Sequence, residues 1–402
     1  MKFKVLIIEG TSKLGGAQFD NILIQRSKQT KISYVTLCPE EGDLSEKLRI
    51  EGKNVVVKSM PKLISTSFII KEKSVLNPFA LLNNFFSYFV YAINLRKFIK
   101  KNQFDLIVTN GMNPHFYGGL AARFSNTPSV FRLMDVIRKD MLSGFARKMF
   151  QFYVKLVNAH VIVPSKAVST EMFSSEVIDK KVTVIYNGTD LNDFSRDSSV
   201  PILREEFNIL DNEIVFGCYS RLIPWKGHRT FITAAINFLN NGNKAKFLIV
   251  GGVVFGKDDF MNDLKKMVTE AKQNDNIIFA GFRYDMGNCI QSSDVVVVPS
   301  IHPDPCPRVM VESMALSKAM IGSNLGGIPE VIENNVTGII TKFGDVKELE
   351  NAFLFFINNK SKIKEMGDNG FSRQMLLYSL DNYQKKHEDC FLSLINNYER
   401  NN

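Results

Sequence analysis

The sequence predicts an α/β protein made of two domains, each a parallel β-sheet covered by helices. The 402 residues are 45% hydrophobic and 23% charged, a composition typical of a globular chain with a large core. Short apolar runs rich in β-branched residues alternate with longer stretches of helical periodicity. These runs fall into two series, one in each half of the chain, which indicates two sheets.

The apolar runs lack polar alternation, as strands do when helices cover both faces of a parallel sheet. The first series is predicted at Lys4–Ile8, Ile32–Leu37, Asn54–Val57, Leu106–Thr109, Ser129–Leu133 and Val161–Val163. The second series is predicted at Ile214–Cys218, Lys246–Val250, Ile277–Ala280, Val295–Val298, Ala319–Ile321 and Gly338–Ile340.

The segment between the two series is rich in Asn, Asp and Ser and contains Pro201, which is typical of turns and linkers. We therefore place an N-terminal domain at 1–186, a linker at 187–204 and a C-terminal domain at 205–378. Residues 379–402 are predicted to form an amphipathic helix that packs back across the hinge toward the N-terminal domain.

Positive charge is concentrated in the first domain. Residues 1–186 hold 27 Lys and Arg against 14 Asp and Glu, a net charge of +13, whereas residues 187–402 hold 23 against 27, a net charge of −4. This asymmetry predicts an anionic partner for the N-terminal half, such as a membrane surface or a phosphorylated substrate. The cations are dispersed and no reader motif is present, so nucleic acid is not expected as a partner.

The five cysteines form no C-x-x-C pair, so neither a disulfide framework nor a zinc site is expected, and a reducing cytoplasm fits best. The first ten residues have the pattern of a β-strand rather than that of a secretory signal. The uncharged stretch from Ser74 to Leu95 is interrupted by polar residues and falls short of the about 20 apolar residues that a spanning helix needs.

The stretch from Val295 to Val331 carries the most chemical information. A strand is followed by a Pro-rich loop and by a helix predicted to begin near Pro307. The N-terminus of a helix at the carboxyl end of a parallel strand is suited to phosphate, so a diphosphate site is expected here. The carboxylate of Glu312 suits a vicinal ribose diol, with Asp304 in the preceding loop; ordinary surface acids are the alternative.

Two further segments follow strands and fit an anionic ligand. Arg221 and Lys226 lie in a loop after a predicted strand and could bind phosphate oxygens, or could be solvated surface cations. Gly15 and Gly16 follow the first strand, where they would let the backbone approach a ligand or simply form a tight turn.

Taken in order, these segments resemble the family-four retaining glycosyltransferases, whose two facing Rossmann-like domains form the GT-B fold. The resemblance covers nearly the whole chain, in the expected order and spacing. The matching segments are Leu14–Gln18, Val184–Asp190, Ser220–His228, Leu248–Gly252, Ile277–Phe282, Ser292–Ser300 and Asp304–Glu312, followed by GGIPEVI.

The resemblance implies that the C-terminal domain binds a nucleotide-activated sugar, most often a UDP-sugar, with the diphosphate on Arg221 and Lys226 and the ribose on Glu312. Asp304 would touch hydroxyls of the transferred sugar, and Glu330 would border the sugar or base. Gly15 and Gly16 would close over the diphosphate. At the start of the helix, the backbone of four residues would face the phosphate: Cys306, Pro307, Arg308 and Val309.

The chain departs from the family at two positions. Asp304 stands where Glu is more common, and Met134-Asp135 stands where many relatives have His-Asp. Because a methionine cannot exchange a proton, Asp135 is the expected polar group on the acceptor side, with His115 as a second candidate.

The expected reaction is sugar transfer with retained configuration. The acceptor would attack the sugar on the same face that the diphosphate leaves. Arg221, Lys226 and helix dipoles would stabilise the negative charge that grows on the departing diphosphate. The sequence has no D-x-D motif, so we predict no metal and no cofactor. The alternatives are a nucleotide-sugar epimerase of similar fold and a non-catalytic protein that binds sugar nucleotides.

The acceptor is expected on the N-terminal domain and to be a glycan or a lipid-linked glycan of cell-surface polysaccharide synthesis. Phe79, Leu82, Phe86, Phe89 and Ile93 recur at helical spacing in a segment that ends in Arg96, Lys97, Lys100 and Lys101. This pattern indicates either a core helix with a cationic end or a surface that touches anionic lipid. The second interpretation places the protein in the cytoplasm, at the inner face of the membrane.

Overall fold

The computed structural model describes residues 2–27, 30–61, 63–65, 67–70, 73–134, 144–253 and 259–400. The chain divides into two compact units. The first unit takes Met1–Val163, Ser169–Ile185 and Gln384–Asn402, and the second takes Pro164–Val168 and Tyr186–Tyr383. The predicted class, two α/β domains with parallel sheets and a C-terminal helix, is confirmed.

The first unit contains a seven-stranded parallel sheet with the order β3-β2-β1-β6-β7-β8-β9, and a separate antiparallel hairpin formed by β4 and β5. The strands are β1 (Phe3–Glu9), β2 (Ile32–Cys38), β3 (Asn54–Val57), β4 (Ser67–Ile70), β5 (Lys73–Leu76), β6 (Leu106–Asn110), β7 (Ser129–Arg132), β8 (His160–Val163) and β9 (Val182–Val184). The helices are α1 (Gly16–Gln25), α2 (Asp43–Ile50), α3 (Pro78–Asn102), α4 (Met112–Ser125), α5 (Gly144–Leu156) and α7 (Ser175–Lys181). Helix α6 (Lys166–Met172) begins in the second unit and ends in the first.

The second unit contains a six-stranded parallel sheet with the order β12-β11-β10-β13-β14-β15. The strands are β10 (Val215–Tyr219), β11 (Lys246–Val250), β12 (Ile277–Gly281), β13 (Val295–Val298), β14 (Ala319–Ser323) and β15 (Gly338–Thr341). The helices are α8 (Ile202–Glu206), α9 (His228–Asn240), α10 (Asp259–Glu270), α11 (Met286–Gln291), α12 (Arg308–Ala315), α13 (Ile328–Val331), α14 (Val346–Asn358) and α15 (Lys360–Arg373), with a 3₁₀ turn at Pro224–Lys226 and a π turn at Gln374–Tyr378.

Both sheets reverse their strand order at one point. In the first unit the reversal lies between β1 and β6, and in the second it lies between β10 and β13. Ligands of open α/β sheets bind in the crevice outside the carboxyl ends of the strands at this switch point. The loops that follow β10 and β13 are therefore the expected ligand site of the second unit.

Each strand predicted from the sequence is present, with ends within two residues of the predicted ones. The basis of the prediction also holds, because every residue of β6, β10, β13 and β14 is buried. Strands β4, β5 and β9 were missed. Each begins with or lies directly beside a lysine, which weakens the apolar signal of so short a run.

Residues 187–204, predicted as a linker, are grouped with the second unit and bonded to it. The Asn187 side chain donates to the carbonyl oxygen of Cys306 at 2.8 Å, and the backbone N–H of Thr189 donates to the carbonyl oxygen of Tyr378 at 2.9 Å. The boundary between the two units falls between Ile185 and Tyr186.

The predicted C-terminal helix is α16 (Leu380–Arg400). Its residues from Gln384 onward belong to the first unit, as the sequence indicated. The Gln384 side chain donates to the carbonyl oxygen of Leu23 at 2.7 Å, Glu388 accepts from the backbone N–H of Lys31 at 2.8 Å, and Phe391 is fully buried.

Four of the five apolar residues singled out on α3 lie outside its core face, which corrects the core-helix interpretation; the fifth, Ile93, is half-buried. Phe79 is 82% exposed, and Leu82, Phe86 and Phe89 are also exposed. The helix instead buries Ala80, Tyr91, Ala92, Leu95 and Ile99, and Tyr88 and Phe98 are partly buried against the core. Periodicity predicted the helix correctly, but it does not distinguish a buried stripe from an exposed one.

Candidate active site

Two loops meet at the switch point of the second unit. The loop after β10 leads through the turn Pro224–Lys226 into α9, and the loop after β13 leads into α12. The backbone N–H of Ile301 donates to the carbonyl oxygen of Trp225 at 3.0 Å. Gly227, with φ +78°, lies so close to Pro299 that a Cβ would stand 1.8 Å from its carbonyl oxygen. Only glycine permits this contact between the loops.

An ion pair joins the two loops. Lys226 Nζ bonds Asp304 Oδ2, and the side chains are only 13% and 5% exposed. Ser300 Oγ donates to the same carboxylate oxygen at 3.3 Å, and the ammonium lies 4.7 Å from the centre of the Trp225 ring. Two residues predicted from separate motifs are thus brought together in one shielded cluster.

A second pair lies at the start of α12. Pro307 is the N-cap, so the helix begins at Arg308, as predicted. Arg308 Nε lies 3.3 Å from Glu312 Oε1 one turn later, and both side chains are mostly buried. Val309 and Cys306 are buried beside them. The backbone N–H groups of the first turn, with the helix dipole, make this end suitable for an anion.

The glycines of the GGIPE segment hold the Asp304 loop in place, a role that the sequence did not reveal. Gly327 N–H donates to the Asp304 carbonyl oxygen at 2.8 Å. A Cβ on Gly327 would stand 1.9 Å from the Pro305 carbonyl oxygen, and a Cβ on Gly326, at φ +60°, would stand 2.3 Å from that of Asp304. The two glycines allow the backbones to touch.

Glu330, predicted to border the donor, has three hydrogen-bond donors within its own unit. Its carboxylate accepts from the backbone N–H groups of Lys166 and Ala167 and from the Tyr186 hydroxyl, each at 2.8 Å. It therefore caps the N-terminus of α6. A contact between Glu330 and the donor stays a prediction.

Arg221 and His228 flank the same loop and differ in accessibility. Arg221 is exposed, so its guanidinium is available to a ligand. His228 is fully buried, with Nε2 3.1 Å from Ser220 Oγ, and burial lowers its pKa to about 4. The imidazole is neutral at physiological pH and supports the loop.

In the first unit the predicted glycine loop lies at the N-terminus of α1. The helix begins at Gly16 with Gly15 as its N-cap. The structure thus places both glycines where the chain passes from β1 into α1, at the switch point of this sheet. Their approach to a diphosphate stays a prediction.

Beside this loop lies a buried polar network that the sequence analysis missed. Glu9, the last residue of β1, is fully buried and accepts hydrogen bonds from the side-chain amides of Gln18, Asn21 and Asn110. Burial raises the pKa of Glu9 to about 7, although these hydrogen bonds and the nearby Arg132 guanidinium oppose the shift. The only sign of this network in the sequence was a carboxylate at the end of a strand that was predicted to be buried.

The acceptor-side residues are only partly described. His115 is fully buried, with Nδ1 2.7 Å from Thr109 Oγ1 and its ring stacked on Phe131 at 4.8 Å; burial lowers its pKa to about 3. This burial does not support contact between His115 and an acceptor, which stays a prediction. Asp135 lies outside the described residues, while the neighbouring Met134 has its sulfur 3.9 Å from Arg132 Nη2.

Within the described ranges, which omit 135–143 and 254–258, no group of three or more His, Cys, Asp or Glu side chains is placed to hold a metal ion. The prediction that the reaction needs no metal is not tested by this observation.

Comparison with known proteins extends the resemblance over most of the chain. Residues 43–193 match the family described as Glycosyltransferase Family 4, and residues 199–373 match the family described as Glycosyl transferases group 1. The UDP-Gal:α-D-GlcNAc-diphosphoundecaprenol α-1,3-galactosyltransferase of Escherichia coli is 25% identical over 338 residues, covering 81% of this chain and 80% of the relative.

Two other proteins show the same pattern. The N,N′-diacetylbacillosaminyl-diphospho-undecaprenol α-1,3-N-acetylgalactosaminyltransferase of Campylobacter jejuni is 23% identical, covering 84% of this chain and 85% of the relative. Among solved structures, Anabaena Alr3699/HepE in complex with UDP aligns with a TM-score of 0.81 at 23% identity, covering 97% of this chain and 100% of that one. These matches favour sugar transfer over the epimerase and non-catalytic alternatives.

Proposed function

We propose that this chain, a member of the family-four glycosyltransferases, transfers a sugar from a UDP-sugar to a lipid-linked glycan. The transfer would retain the anomeric configuration and need no metal. The observation that carries the donor assignment is the cluster at the switch point of the second unit. There Lys226, Asp304 and the N-terminus of α12 lie on two loops in direct contact.

The proposed chemistry is stabilisation of the departing diphosphate. The ammonium of Lys226, the exposed guanidinium of Arg221 and the first N–H groups of α12 would bind its oxygens. Groups aimed at the charge that develops in the transition state are commonly the largest contribution to such a rate enhancement. Glu312, one turn into α12, would accept hydrogen bonds from the ribose hydroxyls.

The relatives support both substrates. The name of the E. coli relative specifies UDP-Gal and a diphosphoundecaprenol acceptor, that of the C. jejuni relative also specifies a diphospho-undecaprenol acceptor, and HepE was crystallised with UDP. Both named transferases form α linkages. A transfer that retains the configuration of an α-linked donor sugar would give an α linkage as well.

A panel of nucleotide sugars in a thermal-shift assay tests the donor. At a ligand concentration 100-fold above Kd, binding stabilises the folded state by about 2.7 kcal/mol. We expect UDP-sugars to raise Tm and Glu312→Ala to remove most of the rise. Glu365→Ala is the matched control, because Glu365 is half-exposed in a surface pair with Lys362. A rise in Tm that Glu312→Ala leaves intact would refute the proposed site.

The acceptor assignment leads us to propose binding at an anionic membrane, which an exposed apolar layer of the first unit supports. Helix α4 packs between α3 and α5, with Phe89 5.8 Å from Phe124 and Phe116 6.4 Å from Phe150, measured between ring centres. The outer face of this three-helix layer exposes Phe79, Leu82, Phe85, Phe86, Phe89, Val90, Phe124, Phe145, Met149, Phe152 and Leu156.

The α5 residues of this layer recur at intervals of four, three and four, which forms one stripe on a helix. Basic residues accompany the apolar ones on α3 and α5: Arg96, Lys97, Lys100, Lys101, Arg147, Lys148 and Lys155. Amphipathic helices of this composition lie in the membrane interface, and each basic residue near an anionic leaflet contributes about 1 kcal/mol. Within the described ranges, no helix is long and apolar enough to cross a bilayer.

Flotation with vesicles tests the membrane proposal. We expect the protein to float with vesicles containing anionic lipid and to bind neutral vesicles more weakly. Replacing Phe145 and Phe152 by serine should reduce flotation with anionic vesicles at least several-fold, because the apolar contribution is lost. The matched control makes the same replacement at Phe282 and Tyr284, two exposed aromatic residues of the second unit. Equal binding to neutral and anionic vesicles, or an unaffected α5 variant, would contradict the proposal.

A further inference from the structure

The cation expected to bind the diphosphate and the carboxylate expected to bind the sugar are bonded to each other. Lys226 Nζ and Asp304 Oδ2 form an ion pair whose two side chains are almost entirely shielded from solvent. Salt screens such a pair weakly, and removing one partner leaves the other as an unpaired, shielded charge. The two groups must therefore be considered together when a ligand arrives.

The carboxylate is the fixed member of the pair. Ser300 Oγ donates to the oxygen that bonds Lys226, and the backbone of Asp304 is held by the N–H of Gly327. Gly326 approaches the same backbone so closely that no side chain fits between them. With one methylene between this anchored backbone and the carboxylate, Asp304 has little reach toward a ligand.

The ammonium is the movable member. Lys226 ends the 3₁₀ turn Pro224–Lys226 and carries its charge on a flexible four-carbon stem beside the Trp225 ring,. An incoming diphosphate adds several negative charges near Asp304. It must draw the ammonium away from the carboxylate or share it, so the carboxylate and the diphosphate compete for the same cation.

We propose that Asp304 is a positioning residue for Lys226 rather than a sugar contact. Its carboxylate holds the ammonium in the empty donor site and competes with the diphosphate for it, so Asp304 limits how tightly the nucleotide diphosphate is retained and favours release of the spent nucleotide. This inference rests on the proposed function, since it requires a diphosphate ligand at this site.

The test is a double-mutant cycle on the full chain, with inorganic pyrophosphate, UDP and a UDP-sugar as titrants. We expect Asp304→Asn to bind pyrophosphate and UDP about 3- to 10-fold more tightly than the wild type, because the ammonium of Lys226 is no longer held by a competing carboxylate. Inhibition by UDP should strengthen by the same factor. In a Lys226→Met background, the Asp304→Asn change should alter UDP affinity less than about twofold.

Controls separate this effect from general changes in charge or folding. Asp263→Asn removes a carboxylate whose pair with Arg229 is more than half exposed, and it should leave UDP affinity unchanged. Thermal unfolding of each variant monitors the fold. Asp304→Ala removes the same charge and repeats the test should Asp304→Asn not fold.

Two results would overturn the inference while leaving the proposed function intact. Unchanged pyrophosphate and UDP affinities in Asp304→Asn, with weaker binding of the UDP-sugar alone, would identify Asp304 as a sugar contact. Tighter UDP binding that persists undiminished in the Lys226→Met background would show that Lys226 is not involved. A wild-type protein that bound none of the three titrants would instead contradict the proposed donor site itself.

Discussion

Replacing Lys226 by methionine is expected to lower kcat/KM for the donor by about 10²- to 10³-fold, the usual cost of removing one preorganised group that stabilises charge in a transition state. Methionine keeps an unbranched apolar stem beside the Trp225 ring, so the packing of the turn should persist. The measurement is steady-state transfer to acceptor with the donor varied.

The substitution also leaves the Asp304 carboxylate without its counter-ion, which alone would destabilise the fold,. The double variant Lys226→Met, Asp304→Asn removes both charges and should regain most of the lost Tm while remaining as inactive as the single variant. Lys266→Met is the control, because Lys266 is largely exposed in a surface pair with Glu270 and such pairs contribute little. A Lys226→Met enzyme within threefold of wild-type activity would remove this lysine from the catalytic groups.

The strands could be predicted from the sequence because burial on both faces of a parallel sheet leaves a local record, an apolar run without alternation. The order of the strands has no such record. Lys226 and Asp304 are 78 positions apart, and only the adjacency of β10 and β13 brings their loops together. Each residue was identified singly from its motif, but their ion pair could not be.

The same limit explains why the network around Glu9 was missed. Its partners come from α1 and β6, and Arg132 comes from β7. A lone Glu at the end of a strand is compatible with an exposed position as well as a buried one. What distinguishes the two is the set of amides contributed by neighbouring elements, which depends on the sheet order.

The exposed layer of α3 and α5 shows a different limit. A helical stripe of Phe and Leu is the same in sequence whether it faces a core, a membrane or solvent. On α3 the core-facing positions are filled by Tyr91, Ala92, Leu95 and Ile99, so the exposed Phe residues were left outside. Composition could not assign the two faces, because both are apolar.

The second large effect is expected at Gly327, a glycine with an ordinary φ of −82°. Alanine there introduces no backbone strain, so any cost comes from contact alone. Its Cβ would stand 1.9 Å from the Pro305 carbonyl oxygen and 2.9 Å from Ser165 Cβ. Neither the backbone carbonyl nor the Ser165 Cβ is the end of a flexible side chain, so the loop that carries Asp304 must move.

We expect Gly327→Ala to lower the stability of the second unit by about 1–3 kcal/mol, the cost typical of overpacking. We also expect weaker UDP binding, because the Lys226–Asp304 cluster shifts with the loop. Gly144→Ala is the control, since a Cβ at Gly144 meets nothing within 4 Å at the start of α5 and alanine favours a helix. Thermal unfolding with and without UDP measures both effects. Gly327→Ala with wild-type Tm and UDP affinity would mean that the contact between GGIPE and the Asp304 loop is not needed, and that the loop reaches its position by other contacts.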